Sequence, residues 1–369
     1  VRRKDGADQL APEEQPPYRK GEDPEAGDFY RSLPKVELHR HLEGSLRLVT
    51  LLEVARAHGI DLLGTDRLRP LVQVDADDPL TSQNFLAKFA TLRRFYRSPD
   101  VIARITQEAV ADAAADNIRY LELRFTPAAL SKAENFPLHE VIDWVIEGAR
   151  QAEAASGVIT RLIASVNRHE SPELAAQVAS LAVERRHAGI VGLDLAGNEA
   201  SFPASPFAGI FREAREAGLN ITVHAGEWGG AGNVAQAITM LHAQRIGHGV
   251  RVMEDQAVVA LARERGTTFE VCITSNYQTG VVPALNDHPI RSMLAASLDV
   301  TLNTDDPSIS QITLSDEYRL ACEKFAISLA VLRERTVAAA RAAFIPEAER
   351  QSLAAAIERD FPVRFNDSL

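Results

Sequence analysis

The 369 residues are enough for one large domain or two ordinary ones, and 46 % hydrophobic with 25 % charged residues is usual for a globular chain. A formal net charge of -11 argues against a general nucleic-acid or anionic-membrane surface and leaves room for a local basic pocket. Only two cysteines, Cys272 and Cys322, exclude a disulfide framework and a four-cysteine zinc site, as expected of a cytoplasmic protein.

Residues 1–28 are rich in Pro, Glu, Asp, Lys and Gly and read as a disordered tail. No apolar run follows the charged first residues, so no secretory leader is expected, and no stretch is long enough to span a bilayer. Residues 29–369 read as a single domain. Lys35–Leu38 reads as a strand and runs into His39-Arg40-His41, where side chains i and i+2 share one side. Both imidazoles could then reach one metal ion. Ser45 to about Ile118 follows as a long insertion with helical segments, including Gln83–Ala90, suited to a lid. Its aromatics Phe85, Phe89, Phe95 and Tyr96 lie near helical spacing and read by default as core.

Further strands are expected at Arg119–Phe125, Thr160–Val166, Ile190–Leu195, Asn220–His224, Arg245–Gly247, Thr268–Val271 and Val300–Asn303. Amphipathic helical stretches separate most of them: Leu138–Ala154, Pro172–His187, Pro206–Ala217, Val234–Ala243 and Asp255–Arg265. Gln311–Glu358 reads as helical and packs the domain shut. Eight strands with intervening helices predict a (β/α)8 TIM barrel whose active site lies at the C-terminal strand ends. An open doubly wound sheet would instead place a Gly-rich phosphate turn after its first strand. Several strands end in chemistry: His39 and His41, His224 with Glu227, His248 between glycines, and Asp305-Asp306 closed by Pro307. These endings suggest one shared catalytic end.

His39-Arg40-His41-Leu42-Glu43-Gly44-Ser45, Thr222-Val223-His224-Ala225-Gly226-Glu227, Arg245-Ile246-Gly247-His248-Gly249 and Asn303-Thr304-Asp305-Asp306-Pro307 resemble four signatures of the adenosine/AMP deaminase family, within the amidohydrolase superfamily. Gly192–Glu199 and Phe269–Cys272 resemble two more, in family order, and the chain looks most like the bacterial adenosine deaminases. The resemblance implies one Zn2+ per chain on His39, His41, His224 and Asp305, with a position left for water. It makes Glu227 the acid that protonates the purine ring and His248 the group that orients or deprotonates the water. Asp306 would bond the imidazole edge of the purine, the Gly197 N–H the opposite ring nitrogen, and Glu43 and His41 the sugar side. Phe85 and Phe89 shift from core to pocket lining. Glu270 would fix His248, and Asp194 would either support the ligands or act as a structural cap.

Adenosine, and with it 2'-deoxyadenosine, is the implied substrate. Glu43 stands where adenosine-specific members commonly have Asp, which keeps adenine and aminofutalosine-type deaminases as alternatives. A binuclear relative would carry a lysine at the end of the fourth strand, where this chain has Asp194-Leu195-Ala196-Gly197. The cytidine-deaminase arrangement needs a Cys-x-x-Cys element, which is absent. A non-enzymatic binding protein tends to lose a ligand or the acid, and none is missing. His169 follows the third strand and could reach the pocket, with a capping role preferred; His58, His139, His187, His242 and His288 read as solvated. Oligomeric state and the choice of zinc over another divalent metal stay open.

Overall fold

A computed structural model describes residues 29–61 and 64–362; the expected N-terminal tail lies outside them. The eight strands are β1 (Lys35–His41), β2 (Ile118–Phe125), β3 (Ile159–Asn167), β4 (Ile190–Ala196), β5 (Asn220–Ala225), β6 (Arg245–His248), β7 (Thr268–Val271) and β8 (Asp299–Leu302). They pair in sequence order, all parallel. Each connection crosses over through helix, which is what parallel neighbours require.

Closure between β8 and β1 is made by hand rather than by a ladder. Past Leu302, the Asp305 N–H donates to the His39 carbonyl at 2.9 Å and the His41 N–H to the Asp305 carbonyl at 2.8 Å. Side chains cover the gap below: the Leu38 N–H donates to Asn303 Oδ1, and Glu37 accepts from the Thr304 N–H and hydroxyl. The expected (β/α)8 barrel is therefore present, and its last seam carries Asp305 directly to the histidines of β1.

Helices Leu48–His58, Thr65–Val72, Ser82–Leu92 and Pro99–Ala115 fill the β1–β2 insertion. Helix Ser82–Leu92 starts at Thr81, whose side chain accepts the Asn84 N–H, and Pro99 opens the next helix behind the Ser98 cap. Lys88 holds the lid helix down through Asp78 and the Pro70 carbonyl, both at 2.6 Å. Phe95 and Tyr96 are core, as their spacing suggested; Phe85 is buried and Phe89 half-buried. The C-terminal stretch is three helices, Leu314–Phe325, Leu329–Ala342 and Glu347–Asp360. Among the described residues, no helix is long and apolar enough to cross a membrane.

The barrel interior is unusually charged for a layer that Val, Ile and Leu commonly fill. Glu122, Arg124, Asp194, Arg245 and Glu270 are all fully buried there. Arg124 Nη2 lies 2.8 Å from Glu270 and Nη1 3.4 Å from Asp194. Arg245 joins Glu270 to Glu122. Every charge has an opposite neighbour, the condition under which buried ions persist.

Candidate active site

At the C-terminal ends of the strands, side chains of His39, His41, His224 and Asp305 converge, with one ligand atom from each inside a 4.8 Å span. His41 Nε2 is 3.2 Å from His224 Nε2, and Asp305 Oδ1 is 3.1 Å from His39 Nε2 and 3.2 Å from His41 Nε2. Tetrahedral zinc with bonds of 2.0–2.1 Å spaces its ligand atoms by about 3.3 Å, so the cluster already has the dimensions of a metal shell. His39 Nε2 is a buried nitrogen with no hydrogen-bond partner. Such an atom is costly unless something accepts its lone pair. The donor set fits zinc.

The opposite ring nitrogens are tied down. His39 Nδ1 meets Glu270 Oε2 at 2.8 Å and His224 Nδ1 meets Asp194 Oδ1 at 3.0 Å, so both Nε2 lone pairs face the cluster. Asp305 Oδ2 accepts from the Ser275 hydroxyl at 2.7 Å. Burial would raise the Glu270 carboxyl, but Arg124 and Arg245 outweigh it and hold the group well below its ordinary range. Asp194 thus lies against the His224 ring, the geometry of a ligand support.

Glu270 corrects the expectation that it fixes His248. In register, His224 pairs with Gly247 and Gly247 with Glu270, so these positions share the inward face. Gly247 has no side chain, and the His39 ring occupies that space: a Cβ there would lie 2.8 Å from His39 Cε1. Glu270 therefore reaches His39. His248, one residue later and at φ 60°, turns its Nδ1 to Asn276 Nδ2 at 3.1 Å instead. Asp305 also sits at positive φ, 66°. Left-handed backbone at a non-glycine residue costs about 1–3 kcal/mol and gathers at functional sites.

A second correction concerns His288, which is buried rather than solvated. Its Nε2 lies 3.2 Å from Asn276 Oδ1. Packing of the β7–β8 connection against Phe325 encloses it, and no local sequence signal marks that burial.

Glu227 faces the same space, with Oε2 3.8 Å from His248 Nε2. Its backbone N–H and that of Gly226 donate to Glu199, at 2.6 and 2.9 Å, which fixes the turn carrying the acid. Glu199 lies in the Gly192–Glu199 stretch, where no local sequence feature points to this clamping role. Burial, reinforced by Asp305, Glu199 and Asp306, pushes the Glu227 carboxyl well above its ordinary range, the direction that favours its protonated form. Asp306 is raised in the same way by burial and by Asp305, and its Oδ1 has no hydrogen-bond partner. Glu43 Oε1 accepts the Thr126 N–H at 2.6 Å; its Oε2 is buried without a partner.

These groups open onto a cavity of about 270 Å³ lined by His41, Glu43, Glu227, His248, Asp305 and Asp306 below, with Gly197 beside them. Phe85, Leu86 and Phe89 of the lid helix cover it. His169 also lines the mouth, with its ring 6.3 Å from Phe202, so the pocket position holds over the preferred capping one. Its place just past the end of β3 is the signal that allowed this position. Trp228, next to the acid, lines the wall.

A barrel that presents three histidines, an aspartate and a buried glutamate at its strand ends is a metal-dependent hydrolase of the amidohydrolase type. The chain belongs to the adenosine deaminase family: residues 34–360 match the family described as "Adenosine deaminase". An adenosine deaminase from Erwinia tasmaniensis is 38% identical over 326 residues, 88% of this chain and 97% of that protein. Among solved structures, an adenine deaminase from Arthrobacter aurescens superposes with a TM-score of 0.82 at 29% identity, covering 89% of this chain and 98% of that one. An amidohydrolase from Burkholderia ambifaria with bound Zn does so with a TM-score of 0.82 at 28% identity, covering 91% and 92%.

Proposed function

We propose that this chain hydrolyses the 6-amino group of adenosine, and of 2'-deoxyadenosine, to give inosine or deoxyinosine and ammonia, with one zinc ion held by His39, His41, His224 and Asp305. The observation that carries the reading is the pairing of this ligand cluster with a buried Glu227, whose carboxyl is pushed well above its ordinary range, across one purine-sized cavity. When bound, the metal supplies a water with a pKa lowered to about 7.

The protein's own groups do the rest. An exocyclic amine leaves an aromatic ring poorly, so the ring must accept a proton as the oxygen attacks C6. Glu227 gives that proton to N1, breaking the aromaticity and leaving a carboxylate. His248 steadies the attacking oxygen from the side facing Glu227. Asp306, its carboxyl pushed up by burial and by Asp305, bonds N7, and the Gly197 N–H donates to N3. The free Oε2 of Glu43 takes a sugar hydroxyl, His41 borders the sugar side, and Phe85 and Phe89 exclude water from above. The Glu227 carboxylate then takes the proton of the new C6 hydroxyl and hands it to the amino group, so ammonia departs as the C6–O bond becomes a carbonyl, and the proton shed by the attacking water restores Glu227.

Adenine as substrate is the second reading, favoured by the longer side chain of Glu43 in the sugar region and by similarity to the Arthrobacter adenine deaminase. The test follows the ultraviolet change from 6-aminopurine to 6-oxopurine with adenosine, adenine and AMP in parallel, before and after metal stripping. Rapid metal-dependent turnover of adenosine supports the first reading, and turnover of adenine alone moves the substrate. No turnover of any of the three refutes both.

A further inference from the structure

His248 ends a buried chain of hydrogen bonds that runs away from the cavity. Asn276 Nδ2 lies 3.1 Å from His248 Nδ1, His288 Nε2 lies 3.2 Å from Asn276 Oδ1, and the Ile290 N–H donates to His288 Nδ1 at 3.2 Å. Asn276 and His288 are 0% and 4% exposed, so water does not compete for these groups. Neither residue lines the catalytic cavity, and the reaction outlined above uses neither.

The far end of the chain decides the direction of every bond in it. Ile290 is the first residue of helix Ile290–Ala295, and its N–H is among those that no helical carbonyl can satisfy. A backbone N–H can only donate, so His288 Nδ1 must be an acceptor. The neutral ring then carries its proton on Nε2, and burial keeps it neutral by lowering its pKa to about 3. Nε2–H donates to Asn276, which must therefore present its carbonyl oxygen to His288. The amide NH2 is left facing His248 and can only donate. His248 Nδ1 is thereby an acceptor. In the neutral ring its proton sits on Nε2, the nitrogen 3.8 Å from Glu227 Oε2 and 3.9 Å from Asp305 Oδ2.

We propose that Asn276 and His288 are positioning residues that lock His248 in its Nε2–H form, making it a hydrogen-bond donor to the attacking oxygen rather than an acceptor of the water's proton. The inference takes the place of His248 beside the water from the function proposed above. Its structural half, the tautomer, stands apart from any activity. A fixed donor aimed at an oxygen that gains charge needs no reorganisation when the reaction occurs. His288 is held from behind by the edge of Phe325, with ring centroids 5.9 Å apart, so the chain has no slack at its anchored end.

The test uses the metal-loaded protein with ¹⁵N-labelled histidine. The ring nitrogens of His248, assigned by the signals lost in His248→Gln, should show Nε2 protonated and Nδ1 bare. Asn276→Asp replaces the facing donor by an acceptor of the same shape. It should move the His248 proton to Nδ1 and lower kcat by roughly 10²–10³-fold, the usual cost of losing one such donor, while KM and metal content stay within about twofold. His288→Gln can still donate to Asn276 and should keep both the tautomer and most of kcat. His288→Leu cannot, and should give mixed tautomers with a reduced kcat; this pair carries the test if Asn276→Asp does not fold. A wild-type His248 protonated on Nδ1 overturns the inference. So does an Asn276→Asp enzyme with an unchanged ring spectrum, or a loss that falls on KM or metal content with kcat intact. If wild type deaminates none of the purines, the proposed function fails, and the ring spectrum still decides the tautomer.

Discussion

Gly44 lies against the back of Asp306, and this contact allows substrate recognition to be separated from metal binding. A Cβ at position 44 would sit 1.9 Å from Asp306 Oδ1 and 2.5 Å from both its Cβ and Cγ. Ordinary non-bonded contacts need roughly 3.5 Å, so in Gly44→Ala the carboxyl group must retreat by about 1.5 Å. A displacement near 1 Å at a substrate-positioning group costs on the order of 10²-fold, and kcat/KM for adenosine should fall at least that far. The metal should stay, because none of the close contacts of the new methyl is with a proposed ligand. Gly247→Ala is the counterpart: its Cβ would lie 2.8 Å from His39 Cε1 and 3.3 Å from His224 Cγ, and it should weaken metal binding first. Steady-state kinetics with metal analysis on both variants gives the answer. Near wild-type kcat/KM in Gly44→Ala would refute the placement of Asp306 against the purine. Equal loss of metal from both variants would refute the separation.

Glu227→Gln should retain the metal and lose about 10²–10⁴-fold in turnover, the usual worth of a placed general acid; near wild-type turnover removes its role. The same substitution tests the raised carboxyl in metal-free protein. A folded-state pKa above the ordinary 4.5 means that this group's stabilising contribution is present below that value and lost as pH rises through the folded one. Unfolding free energy should therefore decline more steeply with pH in wild type than in Glu227→Gln, and parallel curves would contradict the shift. Glu270→Gln weakens the hold on His39 and leaves Arg124 and Arg245 undercompensated. Metal affinity, measured by chelator competition, should drop about 10–100-fold; an unchanged affinity would show that the His39 contact is dispensable. Phe89→Ala opens the lid side of the cavity and should raise KM for adenosine by about tenfold, from the loss of part of a buried aromatic's apolar contact. Unaltered KM would return Phe89 to a packing role.

What was legible in the sequence is what a strand determines locally. His39 and His41 lie two apart on one strand, His224 and Asp305 stand where β-branched runs give out, and His248 ends a shorter run between glycines, so the barrel and its catalytic end follow from periodicity. Relations across strands were harder. The bond between Glu270 and His39 depends on register, on Gly247 lying level with His224, and on the absence of a side chain there. His288 sits in an irregular segment between β7 and β8, where exposure is the default expectation and only tertiary packing overrides it. His169 needed the path of the loop after β3, and Glu199 the fold of the β4 loop back onto the Gly226-Glu227 turn.

The charged interior gives a physical reason for these long-range ties. Replacing paired buried ions by apolar side chains is often neutral or stabilising, so the layer of Glu122, Arg124, Arg245, Asp194 and Glu270 is poorly explained by stability alone. Its connectivity offers another account. Arg124 touches both Glu270, which holds His39, and Asp194, which holds His224. One guanidinium therefore sets the spacing of two histidines that arrive on different strands, β1 and β5. Both carboxylates must stay ionised to accept the imidazole N–H groups, and Arg124 favours that form at each. An apolar layer of equal volume could support the barrel, yet it would leave those rings free to rotate or to present an N–H to the metal. The charges thus serve the orientation of the ligands.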